Sequence, residues 1–173
     1  MNKFILLVAA KIIAFIAVVG VITYLAMPAS AAELKPYDGE TPPLALNTLQ
    51  GEAVNLKDYR GQLVMVQFWA TYCTPCRVEM PSMNRLQKVM GENFKILAVD
   101  MGEEAAEVQQ FVDEVKPEFT ILMDEDGEAL AAWKVFAAPA TFIIDPSGKI
   151  RYTLFGATEW DSEETVEQLK ALL

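Results

Sequence analysis

Apolar residues alternate between two periodicities from residue 44 onward, and this alternation predicts strands and helices in turn. Nearly continuous apolar runs at residues 63–68, 95–100 and 119–124 have the length of strands that are covered on both faces. Between the runs, apolar residues recur at helical spacing: Met83, Leu86, Val89 and Met90 before a stop at Gly91, then Val108, Phe111, Val112 and Val115. The order β-α-β-α-β predicts a parallel sheet.

Two further segments predict antiparallel hairpins. Residues 44–56 turn at Gln50-Gly51, and the strand-like runs of residues 141–156 flank the turn sequence at residues 145–148. In the last helix, Asp161 is expected to cap the N-terminus with Glu164 reaching back, and Val166, Leu169 and Leu173 are expected to form the buried side. The predicted fold is therefore α/β, with a mixed central sheet flanked by helices.

The N-terminus carries a long apolar segment, residues 4–27, which is interrupted by Lys11. Residues 1–31 are either a cleaved signal peptide that ends at the small residues 29–31, or a retained signal anchor; about 24 residues are enough to span a bilayer. Both interpretations place the remainder outside the cytoplasm, because Lys3 and Lys11 lie on the N-terminal side. Residues 32–43, with prolines and few large apolar residues, predict an extended linker to a domain at residues 44–173.

Net charge and composition exclude several classes of partner and of catalytic mechanism. The chain of 173 residues has a net charge of −10, which disfavours nucleic acid and anionic membrane surfaces as partners. It has no histidine, which excludes Ser-His-Asp, HExxH and Cys-His catalysis. The reactive side chains that remain prominent are the two cysteines.

Cys73 and Cys76 allow three interpretations. A zinc site needs about four ligands, and a disulfide that closes so short a loop stabilises the fold little, so neither interpretation is well supported and no metal or cofactor is predicted. A redox pair is favoured because Cys73 lies where a buried strand ends and a helix begins, where backbone N–H groups and the helix dipole stabilise a thiolate. Cys76, one turn later, is expected to be the resolving thiol. A two-thiolate copper(I) carrier remains open.

The segment WATYCTPCRVEMP, residues 69–81, resembles the active site of thioredoxin-like proteins, and its CRxEMP pattern resembles the membrane-associated TlpA, ResA and CcmG (DsbE) branch. The resemblance implies a thioredoxin fold with an N-terminal hairpin and a helix–strand insert at about residues 103–124. It also implies that Pro139 is a cis-proline facing the cysteines and that the backbone of Ala138 binds a client peptide.

Several site residues are left with open roles. Gln67 stands where thioredoxin has a buried aspartate, and an amide cannot act as a base. Glu79 matches an acidic position of the branch; it either exchanges a proton with Cys76 or helps to bind substrate, or else lies on a solvated helix face beside Arg77. Trp69 is expected at the substrate-binding surface, with packing as the alternative, and the small Ala138 leaves client preference open.

The resemblance and the CxxC sequence together favour a thiol:disulfide oxidoreductase that reduces client proteins. Thr74-Pro75 supplies no positive charge that would favour the reduced form, so a reducing pair is expected. The resemblance implies apocytochrome c as a client in cytochrome c maturation, a membrane electron donor of the DsbD or CcdA type, and the extracytoplasmic (periplasmic) face of a bacterial cytoplasmic membrane, with a cytoplasmic N-terminus if the anchor is retained. A disulfide-donating oxidase is the alternative.

Overall fold

The computed structural model describes residues 33–173. The apolar segment 4–27 and the small residues 29–31, on which the signal-peptide and anchor predictions depend, lie outside the described residues. Within residues 33–173, no helix has the length and apolar character needed to cross a membrane.

The described residues form one eight-stranded mixed sheet. Its strands are β1 (Lys35–Pro36), β2 (Ala45–Thr48), β3 (Ala53–Asn55), β4 (Leu63–Trp69), β5 (Phe94–Asp100), β6 (Thr120–Met123), β7 (Ala140–Ile144) and β8 (Ile150–Phe155). Their spatial order is β1-β8-β7-β4-β5-β6-β2-β3, in which β4, β5 and β6 are parallel and the other neighbours are antiparallel. The mixed sheet and both hairpins predicted from the sequence are confirmed.

Helices cover both faces of this sheet. They are α1 (Thr74–Met90), α2 (Ala105–Val115), α3 (Glu128–Ala132) and α4 (Glu163–Lys170), with a short 3-10 helix at Leu56–Tyr59. Helix α2 and strand β6 form the predicted insert. Gly91 ends α1, as predicted, with a positive φ of 71°. Pro81 lies inside α1 and has no N–H to donate to the carbonyl of Arg77 four residues earlier.

The core lies on both sides of β4, which explains why its sequence is apolar at every position except Gln67. All seven β4 residues are buried, and alternate side chains point to opposite faces of the sheet. On one face the core contains Met65, Trp69, Cys73, Cys76, Met80, Leu86, Phe111 and Leu169 among others. The other face contains Val64, Val66, Phe68, Trp133 and Phe142. The cysteines therefore belong to the first of two apolar layers.

Two predicted core positions are exposed. Val89 is 54% exposed, because the buried stripe of α1 passes through Leu86 and Met90, and Val89 lies about 100° around the helix from Met90. Leu173 is 55% exposed and follows the end of α4 instead of lying on its buried face. The other predicted residues of that face, Val166 and Leu169, are buried.

The predicted cap of α4 is also wrong by one residue. Ser162 is the N-cap, and its Oγ accepts a hydrogen bond of 3.3 Å from the backbone N–H of Thr165. Asp161 is engaged elsewhere, since its carboxylate accepts a hydrogen bond of 2.6 Å from Nε of Arg85 on α1. The local sequence favoured Asp161 as the cap, but its carboxylate instead binds Arg85, which is distant in sequence.

Part of the segment predicted as a spacer lies against the domain. Leu34 is buried, and Lys35–Pro36 pairs with β8 as an edge strand. Farther along, the carbonyl of Pro43 accepts a hydrogen bond of 3.1 Å from the indole N–H of Trp133. Residues 34–43 therefore contribute to the folded unit and do not form a simple tether.

Candidate active site

The two cysteines form a disulfide at the start of α1. Their sulfur atoms are 2.05 Å apart and their Cα atoms 5.3 Å apart. Cys73 is the N-cap, and its Sγ accepts a hydrogen bond of 3.2 Å from the backbone N–H of Cys76. Cys73 is 6% exposed and Cys76 is fully buried. Cys73 is thus the sulfur that an incoming disulfide can reach.

The N-terminus of α1 determines the electrostatic environment of the two cysteines. Backbone N–H groups at the N-terminus and the helix dipole favour negative charge at the N-cap position, which here is the Cys73 sulfur. Pro75 lies in the first turn, where the absent N–H breaks no helical bond. Within residues 33–173, no group of three or more histidine, cysteine, aspartate or glutamate side chains is arranged to hold a metal ion.

A groove of about 450 Å³ opens beside Cys73. The peptide bond between Ala138 and Pro139 is cis, and Ala138 lines the groove. The carbonyl of Pro139 accepts a hydrogen bond of 2.9 Å from the N–H of Gly156, which joins the proline to the end of β8. The structure thus brings the Ala138-Pro139 segment to the cysteines, as the sequence resemblance implied.

The groove has an apolar and aromatic rim. It is lined by Tyr72, Cys73, Thr74, Pro75, Met101, Phe136, Ala137 and Ala138. Phe136 is 92% exposed and Tyr72 is 75% exposed, both unusual for large aromatic side chains. Phe136 and Met101 were not predicted as site residues. The position of Phe136, three residues before Pro139, is a sequence signal that could have indicated its role. Met101 has no such signal, because it reaches the groove only through the pairing of β4 with β5.

Glu79 is a buried carboxylate in the next turn of α1 after Cys76, and its side chain is only 2% exposed. The interpretation that placed it on a solvated helix face is therefore wrong. Its oxygens accept hydrogen bonds from the Gln67 amide, from the Trp160 indole N–H at 2.9 Å and from the Thr158 backbone N–H at 3.3 Å. Burial raises the pKa of Glu79 to about 7, although the three donors act in the opposite direction.

Gln67 explains how the site is built without a strand aspartate. This residue is fully buried in β4, and its Nε2 donates to Glu79 on α1. The acidic group of the site comes from the helix that carries the cysteines, and the strand supplies a donor that orients it. The three donors to Glu79, two side chains and one backbone N–H, come from two separate parts of the chain, strand β4 and the segment at residues 158–160.

Trp69 lies in the core and not at the substrate-binding surface. Its side chain is fully buried, and its ring centroid is 4.6 Å from that of Phe111 on α2. The expectation that Trp69 contributes to a binding surface is wrong in this structure, and the packing alternative describes it. Trp69 shares an apolar cluster with both cysteines and so supports the base of the active-site loop.

Sequence comparison relates the chain to thiol-disulfide oxidoreductases. The AhpC/TSA family model matches residues 38–153. The chain is 37% identical over 131 residues to the thiol-disulfide oxidoreductase ResA of Geobacillus thermodenitrificans, covering 75% of each chain. It is also 37% identical over 115 residues to the thioredoxin-like protein YneN of Bacillus subtilis, covering 65% of this chain and 67% of that one.

Structural comparison gives the same relationship. A protein described as a thiol:disulfide interchange protein DsbE from Chlorobium tepidum superposes with a TM-score of 0.71 at 32% identity, covering 81% of this chain and 99% of that chain. The dsbF protein of MTB superposes with a TM-score of 0.68 at 25% identity, covering 75% and 95%. The similarity covers 95% or more of each of these two solved structures.

Proposed function

Since the chain belongs to the AhpC/TSA family of thioredoxin-like proteins and is a thiol:disulfide oxidoreductase, we propose that it reduces disulfides in client proteins. The observation that carries the proposal is the position of Cys73. Its sulfur is the N-cap of α1, it is the less buried of the two, and it borders an open apolar groove. A client polypeptide can be held in the groove while its disulfide meets this sulfur.

The reaction begins with the reduced protein. The Cys73 thiolate attacks one sulfur of the client disulfide, a mixed disulfide forms, and the other client sulfur leaves as a thiolate. Cys76 then loses its proton and attacks the Cys73 sulfur, which releases the second client thiolate. Two electrons pass to the client, and the protein is left with the Cys73–Cys76 disulfide seen in the structure.

Glu79 is suited to exchange a proton with Cys76. It lies one helical turn after Cys76 and is buried, and its pKa of about 7 approaches the value of about 8.5 that is usual for a thiol. A base is most effective when its pKa is close to that of the group it serves and to the working pH. Gln67, which cannot take up a proton, has the supporting role of orienting the carboxyl group.

The groove is proposed to hold an extended client segment. The backbone of Ala138, beside the disulfide, offers hydrogen bonds of the kind made between strands, and Tyr72 and Phe136 offer exposed aromatic surface. Because the small side chain of Ala138 leaves space beside Cys73, the groove is expected to admit clients whose residues near the disulfide are bulky.

The setting is proposed from the N-terminal sequence. The lysines at positions 3 and 11 precede the apolar run, which supports an extracytoplasmic, membrane-associated location at a bacterial cytoplasmic membrane. That compartment is oxidising, so a reductase needs a supply of electrons, and a membrane donor of the DsbD or CcdA type is proposed. Apocytochrome c, with its paired haem-attachment cysteines, is the proposed client in cytochrome c maturation.

Trapping in the native host tests the exchange step. In Cys76→Ser the mixed disulfide cannot be resolved, so client proteins should accumulate on Cys73 and be identified by mass. The double variant Cys73→Ser, Cys76→Ser is the matched control and should capture nothing. If both variants give the same background, exchange through Cys73 is contradicted.

A redox titration tests the direction of electron flow. The Thr74-Pro75 sequence places no cation beside Cys73, so a low midpoint is expected. A midpoint well above about −200 mV would contradict the reductase and would favour a disulfide-donating oxidase.

A further inference from the structure

A second carboxylate site lies against the loop that leads from β4 to the cysteines. Glu103, in the loop between β5 and α2, accepts two hydrogen bonds from Thr71. One comes from the backbone N–H of Thr71 at 2.6 Å and the other from its hydroxyl. Thr71 is two residues before Cys73. The Glu103 side chain therefore accepts hydrogen bonds from both donors of Thr71 and links its own loop to the active-site loop.

Asp100 binds the backbone of Glu103. It is the last residue of β5, is paired in register with Trp69 at the end of β4, and is fully buried. Its Oδ1 accepts a hydrogen bond of 2.8 Å from the backbone N–H of Glu103. Its Oδ2 is buried with no hydrogen-bond partner among residues 33–173. A buried carboxylate oxygen without a donor is unfavourable, and a proton on Asp100 removes the charge and allows a hydrogen bond to the Glu103 carboxylate.

We propose that Asp100 and Glu103 are positioning residues for Cys73: the two carboxyl groups share one proton, and Glu103 uses its remaining charge to fix Thr71 and the active-site loop. Burial, followed by the hydrogen bond with the Glu103 side chain and then by the Glu103 charge, raises the pKa of Asp100 to about 7, although the backbone N–H groups of Glu103 and Gly102 oppose this shift. The proton is therefore retained below neutral pH and lost above it. When both groups are ionised they repel each other, and the hold on Thr71 weakens.

The loop between Thr71 and Cys73 is short, so the position of Thr71 affects the position of the Cys73 sulfur. The N–H of Cys73 donates to the carbonyl of Ala70 at 3.1 Å, and the N–H of Met101 donates to the carbonyl of Trp69 at 3.0 Å. Thr71 lies between these two fixed points. A displaced Thr71 moves Cys73 relative to the N–H of Cys76, which donates to its sulfur in this structure. Weakening that contact disfavours the Cys73 thiolate.

Three other charged groups near the pair, Arg77, Glu114 and Asp124, have partners of their own. Arg77 and Glu114, which line a depression beside Thr71 together with Glu107, form an ion pair of 2.9 Å. The Asp124 carboxylate, at the end of β6, accepts hydrogen bonds from two backbone N–H groups of α3. Glu79 also has a pKa of about 7, so the test must remove its titration.

The test measures the reactivity of Cys73 with a small aromatic disulfide, dithiobis(nitrobenzoate), as a function of pH. The background is Cys76→Ser, Glu79→Gln, in which Cys73 is the one thiol and Asp100 is the carboxyl with a pKa near 7 that remains. The profile of the background should show an ionisation near pH 7 in addition to that of the thiol. The proposal rests on Cys73 being the attacking sulfur; a background protein that does not react with the disulfide would contradict the proposed function itself.

Substitutions at the pair should separate its two roles. Glu103→Gln loses charged acceptance of the two Thr71 donors and should lower the rate constant at pH 7 about five- to tenfold. In Asp100→Asn the amide oxygen can still accept the hydrogen bond from the Glu103 backbone N–H, so the rate constant at pH 7 should be unchanged. The ionisation near pH 7 should be absent from the profile of this variant. Glu104→Gln is the matched control, because Glu104 is exposed and makes no side-chain capping bond. It should match the background.

Thr71 provides a second comparison if Glu103→Gln does not fold. Thr71→Ser keeps the hydroxyl and should keep the rate, whereas Thr71→Val should lower it. Chemical denaturation of every variant separates positioning from folding. If Glu103→Gln and Thr71→Val lower stability but leave the rate–pH profile equal to that of Glu104→Gln, or if Asp100→Asn keeps the ionisation near pH 7, the pair has no positioning role and the proposal is overturned.

Discussion

Gln67 on β4 donates its side-chain amide to the carboxylate of Glu79 on α1, and both side chains are buried. The contact links the central strand to the helix that carries the disulfide. It means that an amide and a glutamate together occupy the place for which thioredoxin uses one strand aspartate.

Glu79→Gln should change how stability depends on pH. The pKa of Glu79 is raised from 4.5 to about 7 in the folded protein, mainly by burial. Between these two values the folded protein retains a proton that the unfolded chain has lost, so the free energy of unfolding falls as pH rises through this range. The fall due to Glu79 is at most about 3 kcal/mol and should be absent in Glu79→Gln.

Urea denaturation of the oxidised protein at pH 4.5 to 8 measures this effect. Asp100 contributes to the pH dependence of both proteins, so the difference between wild type and variant isolates Glu79. Equal slopes for the two proteins would show that folding does not raise the pKa of Glu79.

Trp160→Phe should raise the pKa of Glu79 further. The indole N–H is a donor to the buried carboxylate at 2.9 Å, and a hydrogen bond to a charged group contributes about 1.5–3 kcal/mol. Its loss should raise the pKa by about one to two units, because each unit corresponds to about 1.4 kcal/mol. Carbon-13 NMR titration of the Glu79 carboxyl measures the shift. Trp133→Phe is the control, since the Trp133 indole donates to the Pro43 carbonyl instead; a similar shift in both variants would exclude a specific effect.

Phe136→Ser should weaken client binding with little effect on the chemistry of the cysteines. Phe136 is 92% exposed beside the groove, and aromatic side chains at the centre of an interface commonly contribute more than about 1 kcal/mol. For a disulfide-bonded client peptide, KM should rise about tenfold, while the rate with a small aromatic disulfide stays constant. Val89→Ser, exposed on α1, should leave both values unchanged. An unchanged KM in Phe136→Ser would remove Phe136 from the binding surface.

Leu34→Ala should destabilise the domain although Leu34 precedes the region predicted as the domain. Leu34 is 7% exposed and belongs to the apolar layer that contains the disulfide. Truncation of a buried leucine should lower the free energy of unfolding by about 2 kcal/mol or more, measured by urea denaturation. Lys35→Ala, at an exposed neighbouring position, should change it by less than about 0.5 kcal/mol. Similar values for the two variants would show that burial of Leu34 does not contribute to the stability of the core.

The sheet could be predicted from sequence because its signals are local. The run at residues 63–68 is apolar except at Gln67 because β4 has a core layer on each face, and the turn residues 145–148 join two strands that pair directly. The cysteine pair was equally visible, because the chemistry and the position at a strand–helix junction are encoded within four residues.

The environment of the site could not be predicted because it is assembled from distant segments. Glu79 has donors at positions 67, 158 and 160, and nothing near Glu79 in the sequence distinguishes a buried acid from one on a solvated face. The failure at Asp161 has the same origin. The local capping pattern was valid, but Arg85, 76 residues away, binds that carboxylate.

Pro81 has a consequence for the motions of the active site. Because it cannot donate to the Arg77 carbonyl, the two turns of α1 that carry Cys76 and Glu79 are joined to the remainder of the helix by one hydrogen bond fewer than in an uninterrupted helix. Local opening of these turns therefore requires less work than opening the helix beyond Pro81. In hydrogen exchange, the amides of residues 76–80 should lose protection before those of residues 84–90, so the cysteine-bearing turns can adjust to gain or loss of the disulfide without melting the rest of the helix.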